Sequence, residues 1–166
     1  MEGDPIALDF LPALTSVEGK LHSAVGHGKE VHAASFLRAR QMTLDSALLA
    51  NDTELTRILL HELFHFVWVR LGNSRRLAWE RLLRAEWEAG ARGETGWSAE
   101  WRKAALTRRD VAERTRAWRE YCCESFCDTA AWIGCGNASE CTLATRNCRA
   151  RRTWVANELA TRWLAI

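Results

Sequence analysis

What this sequence lacks narrows it first. No stretch is rich enough in Pro, Gly or Ser to be a linker, and there is no internal repeat or low-complexity tract. Its 166 residues therefore predict one domain, 1–166, large enough to bury a core. There is no surplus of one charge. The 23 basic and 21 acidic residues leave a net charge of +2, which argues against an electrostatic nucleic-acid partner. The opening residues "MEGDPIALDF" have neither a basic n-region nor an apolar h-region, so no secretory signal is expected. The longest apolar run, 58–69, is too short to span a bilayer and holds three ionisable residues, so no membrane partner is expected. None of the six cysteines (122, 123, 127, 135, 141, 148) forms a C-x-x-C pair, which removes the usual zinc-ribbon and thioredoxin-like sites. Reduced, buried thiols and a cytoplasmic location are the resulting expectations.

What is present is mostly helical. Residues 1–30 are weakly patterned, and "GHGKE" (26–30) reads as a turn. "VHAASFL" (31–37) and "QMTLDSAL" (41–48) read as a hairpin or two adjacent strands. Asn51 with Glu54 suggests a capping box and Gly72 a C′ residue, framing a helix over about 52–71. That helix is apolar on nearly every side and is expected to run through the core. A second helix is expected over 74–89, and "GARGETGW" (90–97) reads as a loop. Ser98 is expected to cap a short helix. Thr107 and Asp110 then open a long helix ending near Gly134, and the remainder, including 153–164, closes the chain as an amphipathic helix. The nine tryptophans fall mainly on these later helices and are expected to anchor the core.

The helix over 52–71 poses a chemical problem. "RILLHELFHFVWV" (57–69) is almost uniformly apolar, yet it holds Glu62 with His61 and His65 one turn apart. Unpartnered, these groups are costly to bury. "HELFH" matches H-E-x-x-H, in which residues four apart share a helix face and offer two imidazole nitrogens to one point. That convergence suits Zn2+. Glu62 is rotated about 100° around the helix, so it flanks the metal and is placed as a general base toward metal-activated water. A catalytic zinc also needs a third protein ligand. In "YCCESFCDTAAWIG" (121–134), Glu124 and Asp128 are the only formal charges, four residues apart on one face. Glu124 is the favoured third ligand, with Glu120 or a neighbouring cysteine as the alternatives. Asp128 is then placed to accept the other N–H of a ligand histidine.

H-E-x-x-H followed by E-x-x-x-D resembles the gluzincin metallopeptidases, the thermolysin and neprilysin group. The resemblance covers about residues 31–132. It implies an α+β, mostly helical zincin-like fold with a small N-terminal β-sheet and a central H-E-x-x-H helix. It implies zinc held by His61, His65 and Glu124, Glu62 as general base, and Asp128 orienting a ligand histidine. "AASFLRARQMTL" (33–44) is similar to the family's edge strand and the strand after it, which makes Ala34, Ser35 and Phe36 the candidate segment for binding an extended peptide or protein substrate. There are departures. Thermolysin-like enzymes have a large C-terminal domain whose His or Tyr stabilises the tetrahedral intermediate. Beyond Gly134 this chain has neither His nor Tyr, so single-domain minimal gluzincins are the closer comparison. The one tyrosine, Tyr121, is either an oxyanion donor or a core residue. His27 and His32 lie near the proposed edge strand, at the cleft or on the surface. The rival readings are a non-catalytic zinc-stabilised module, a latent enzyme blocked by its N-terminal segment or a thiolate, and a regulatory peptidase specific for one intracellular protein.

Overall fold

In the computed structural model, residues 3–18, 20–24, 26, 28–136, 141–159 and 166 are described, and they form an α+β arrangement. The strands come first: β1 (Ala7–Leu11), β2 (Leu14–Val17), β3 (Lys20–Ser23), β4 (Lys29–Glu30), β5 (Ala33–Phe36) and β6 (Gln41–Asp45). A 3-10 turn, Ser46–Ala50, leads into α1 (Asp52–Arg70), α2 (Asn73–Glu88), α3 (Trp97–Ala105), α4 (Arg108–Glu113), α5 (Arg116–Gly134) and α6 (Thr145–Leu159). One sheet has the order β1-β6-β5, with β1 parallel and β5 antiparallel to β6. The other is antiparallel in the order β3-β2-β4. The two strands expected from 31–48 are β5 and β6, joined as a hairpin. β1 to β4 were not foreseen, and β4 lies inside the expected turn at 26–30. Four of the five β1 residues are exposed, so the sequence has no apolar alternation there.

α1 begins where the sequence suggests. Asn51 Oδ1 accepts the Glu54 N–H at 3.1 Å, although the Glu54 carboxylate turns to Arg57 instead of closing the capping box. Gly72, at φ +82°, follows its C-terminal end. The helix is apolar all round because it separates two cores. Phe64, Val67, Trp68 and Leu71 face the helical core, whereas Leu55, Ile58, Leu59 and Phe66 pack against Met42, Leu44 and Leu48 beside the first sheet. α5 packs antiparallel to α1. Leu60 lies against Gly134, where an added Cβ would come within 2.7 Å of its Cδ1, and Trp68 meets Phe126 farther along.

The single helix expected over 107–134 is two. Thr107 and Asp110 do form a capping box, but the helix they open ends at Glu113. Arg114 is left-handed, at φ +49°, and its guanidinium reaches across to Glu80 of α2. The Thr115 hydroxyl bonds Asp110 at 2.6 Å, which closes the break. The closing helix expected from the remainder of the chain is α6, which starts at Thr145 and takes in 153–159, while residues 160–164 lie outside the described set. Trp79 and Trp118 are fully buried as expected of anchors, while Trp97 and Trp101 are 63% and 42% exposed beneath the Lys29 ammonium.

The helices also enclose an ion network. Arg151 of α6, fully buried, donates to Glu86 of α2 and to Glu94 in the loop before α3. Glu94 also takes Lys103 at 3.0 Å and the Tyr121 hydroxyl at 2.6 Å, and Ser125 donates to it. Burial pushes the Glu94 carboxyl up, but the Arg151 and Lys103 cations and the Tyr121 hydroxyl outweigh it and hold the group at about 2. Breaking such a buried set from one side leaves charges without partners. Arg151→Met is therefore expected to destabilise the fold by about 3–5 kcal/mol in denaturant unfolding. Because the Glu94 carboxyl is depressed below its ordinary 4.5, its contribution is complete above that value and is lost as pH falls toward 2. The melting temperature is expected to drop across that window, and to drop less in Glu94→Gln.

Candidate metal centre

The groups singled out in α1 and α5 meet at the interface of the two helices. His61 is 7% exposed. Its Nδ1–H donates to Asp128 Oδ1 at 2.8 Å, which leaves Nε2 turned toward Glu124 Oε2, 3.3 Å away. One ligand atom from each of His61, His65 and Glu124 lies within 4.8 Å of the other two. The imidazole planes of His61 and His65 are nearly perpendicular, with centroids 5.0 Å apart. Tetrahedral coordination with metal–N and metal–O bonds near 2.0–2.2 Å separates two ligand atoms by about 3.4 Å, close to the His61–Glu124 distance. The donor set, two imidazoles and one carboxylate oxygen, fits a divalent metal with a position to spare.

Electrostatics call for positive charge between these groups, as a proton or as a cation. Burial alone would lower the His61 pKa, but the Asp128 and Glu124 carboxylates raise it to about 10. Burial likewise pushes Glu124 up, and the His61 hydrogen bond, with the charges of His65, His61 and Arg102, holds it at about 2. Without positive charge in the gap, an imidazole lone pair would face a carboxylate oxygen in the interior. Either a proton or a metal ion removes that conflict.

The surroundings fix each candidate ligand. Arg102 of α3 pairs with Glu124 Oε1 at 3.2 Å, so one carboxylate oxygen remains toward the histidines. Asp128 Oδ2 accepts the Ala99 N–H at 2.8 Å and so caps α3 from another helix. This corrects the expectation that Ser98 caps the short helix: α3 starts at Trp97, with Gly96 in the capping position and no side-chain cap of its own. Gly96 is needed for space. A Cβ there would lie 2.4 Å from the Asp128 carboxyl carbon. His65 turns Nδ1 to the sulfurs of Cys123 and Cys127, 3.5 Å from each. A hydrogen bond from the Cys127 thiol holds the Cys123 thiol below its ordinary value against the opposing effect of burial, helped by His65.

Glu62, half-buried, stands beside this group instead of in it. The Ser35 hydroxyl donates to Glu62 Oε2 at 2.6 Å, and Ser35 sits on β5, the outer strand of its sheet. The segment Ala34 to Phe36 therefore runs next to H-E-x-x-H, with Phe36 40% exposed. Tyr121, by contrast, is 1% exposed and gives its hydroxyl proton to Glu94, so of the two roles considered for it the core one fits and the oxyanion one does not. His32 is exposed, and His27 lies outside the described residues. Sequence reasoning missed Arg102, Gly96 and the Ala99 N–H, since none carries a local pattern. Ser35 was noted only as part of a strand, and its hold on Glu62 was not. Compared with models of protein families, with curated proteins and with solved structures, the chain matches none.

Proposed function

We propose that this protein is a zinc metallopeptidase in which His61, His65 and Glu124 hold the metal and Glu62 is the general base. The observation that carries the reading is the meeting of the two helix motifs: His61 between Asp128 and Glu124, with Glu62 one residue away and facing the edge strand. A structural site has no use for a carboxylate in that position, whereas hydrolysis needs one. The zincin-like fold and the gluzincin kinship belong to the same proposal.

Bound there, zinc supplies a Lewis acid that polarises a peptide carbonyl and lets water lose a proton near neutral pH. The remaining work falls to the chain. Asp128 keeps the proton on His61 Nδ1, so that Nε2 faces the metal position. Arg102 neutralises the outer oxygen of Glu124. Ser35 fixes the rotamer of Glu62, which takes the proton of the attacking water and passes it to the departing amine. Among the described residues no strand pairs with the outer side of β5, so an extended peptide can add to the sheet there, alongside Glu62.

Elemental analysis of the purified protein is expected to give about one zinc per chain, and a preparation that cannot be loaded with metal would sink the proposal. Glu62→Gln is expected to keep the metal and lose at least about 10²-fold in kcat/KM on peptide substrates. Retained hydrolysis in that variant would remove Glu62 from the mechanism. Asp128→Asn and Gly96→Ala are both expected to weaken zinc binding, by about 10–100-fold for Asp128→Asn, in competition with a chromogenic chelator.

A further inference from the structure

The face of α5 turned toward His65 carries more donor atoms than the proposed zinc site uses. Cys123 and Cys127 are one helical turn apart, so their sulfurs converge. Both lie 3.5 Å from one nitrogen, His65 Nδ1, and the three atoms are mutually within 4.8 Å. A hydrogen bond explains only part of this. A neutral imidazole N–H has one proton and serves one acceptor well, yet two sulfurs are equally close. With metal–N bonds of 2.0–2.1 Å and metal–S bonds of 2.3 Å, tetrahedral angles put N and S about 3.5 Å apart. Both measured distances match that spacing.

We propose that His65 Nδ1, Cys123 Sγ and Cys127 Sγ form a second ligand set, for a thiophilic cation such as Cd2+, Cu+ or excess Zn2+. Two thiolates and an imidazole are a soft donor set, in contrast to the harder His61, His65 and Glu124 group beside it. As the two sulfur–metal bonds form, both thiols release their protons to solvent. His65 belongs to both sets, and its Nδ1 is the nitrogen that faces the sulfurs. A neutral imidazole has a single lone pair, and the other nitrogen carries hydrogen. His65 therefore serves one set at a time. A soft cation on the sulfurs withdraws His65 from the zinc ligands and switches the enzyme off. That regulatory consequence rests on the peptidase reading, while the ligand set itself does not.

The test is a Cd2+ titration of the zinc-depleted full-length protein, read by thiolate-to-cadmium charge-transfer absorption. The expected result is absorption that saturates at one equivalent and falls at least fivefold in Cys123→Ser/Cys127→Ser. It is expected to persist in Glu124→Gln, which damages only the other set. It is also expected to persist in Cys141→Ser/Cys148→Ser, which removes the other close sulfur pair, 3.3 Å apart. Absorption that survives loss of Cys123 and Cys127, or that vanishes with Cys141 and Cys148, overturns the proposal. Should the double variant not fold, the 113Cd resonance of Cys141→Ser/Cys148→Ser, which lacks the other close sulfur pair, decides instead. A shift typical of two sulfur ligands supports the set, and one typical of nitrogen and oxygen ligands alone overturns it. None of these readouts uses hydrolysis, so a failed peptidase assay and a failed titration are separate results.

Discussion

α5 must bury ionisable groups along two of its sides at once, and the rest of the molecule is arranged to let it do so. Toward α1 it presents Glu124, Asp128, Cys123 and Cys127 to the histidines. Toward α6 and the loop before α3 it presents Tyr121, Ser125 and Thr129 to Glu94 and Arg151. Apolar packing fills the space between, with Phe126 against Phe64, Trp68 and Trp79. Charges in such a place are tolerable only when matched, and each side is matched differently. The α6 side is closed by cations built into the chain. The α1 side has the anions and imidazoles, and the proposed metal would supply its cation from outside.

That contrast separates scaffold from site. The Arg151 network joins α2, α3, α5 and α6, so it fixes the frame around α5. The cluster facing α1 inherits a rigid backbone and uses it to hold small polar groups at defined separations. Both ends of its hydrogen-bond chain land on α3. Asp128 reaches the Ala99 N–H, and Glu124 reaches Arg102. The edge strand β5 lies on the other flank and touches the cluster through Ser35 alone among the hydrogen bonds to Glu62.

How much of this was legible in the sequence depended on whether the signal was periodic. His61, Glu62 and His65 share a helix whose apolar surroundings made their burial conspicuous, and Glu124 with Asp128 repeats that pattern one helix away. Spacings of three and four residues carry over directly into geometry. Contacts between segments with no shared period did not show. Glu94 sits in a glycine-rich loop and Arg151 in a run of arginines, yet both are fully buried. The break at Arg114 escaped notice because no Gly or Pro marks it. Its cause is tertiary, a guanidinium drawn to Glu80 and a Thr115 hydroxyl drawn to Asp110. The short N-terminal strands were invisible for a related reason: half-exposed strands of two to five residues leave no alternation to read.

The Asp128 carboxylate links two events that would otherwise be independent. One oxygen orients His61 and the other closes the first turn of α3, with Gly96 leaving the room for it. On the metal-binding reading proposed above, seating of the Trp97–Ala105 helix and capture of the ion are thermodynamically coupled, and by reciprocity each strengthens the other by the same factor. A molecule that pries at the exposed Trp97 and Trp101 would loosen the metal without touching a single ligand. In the reverse direction, loading the proposed site would guard that helix against proteolytic nicking.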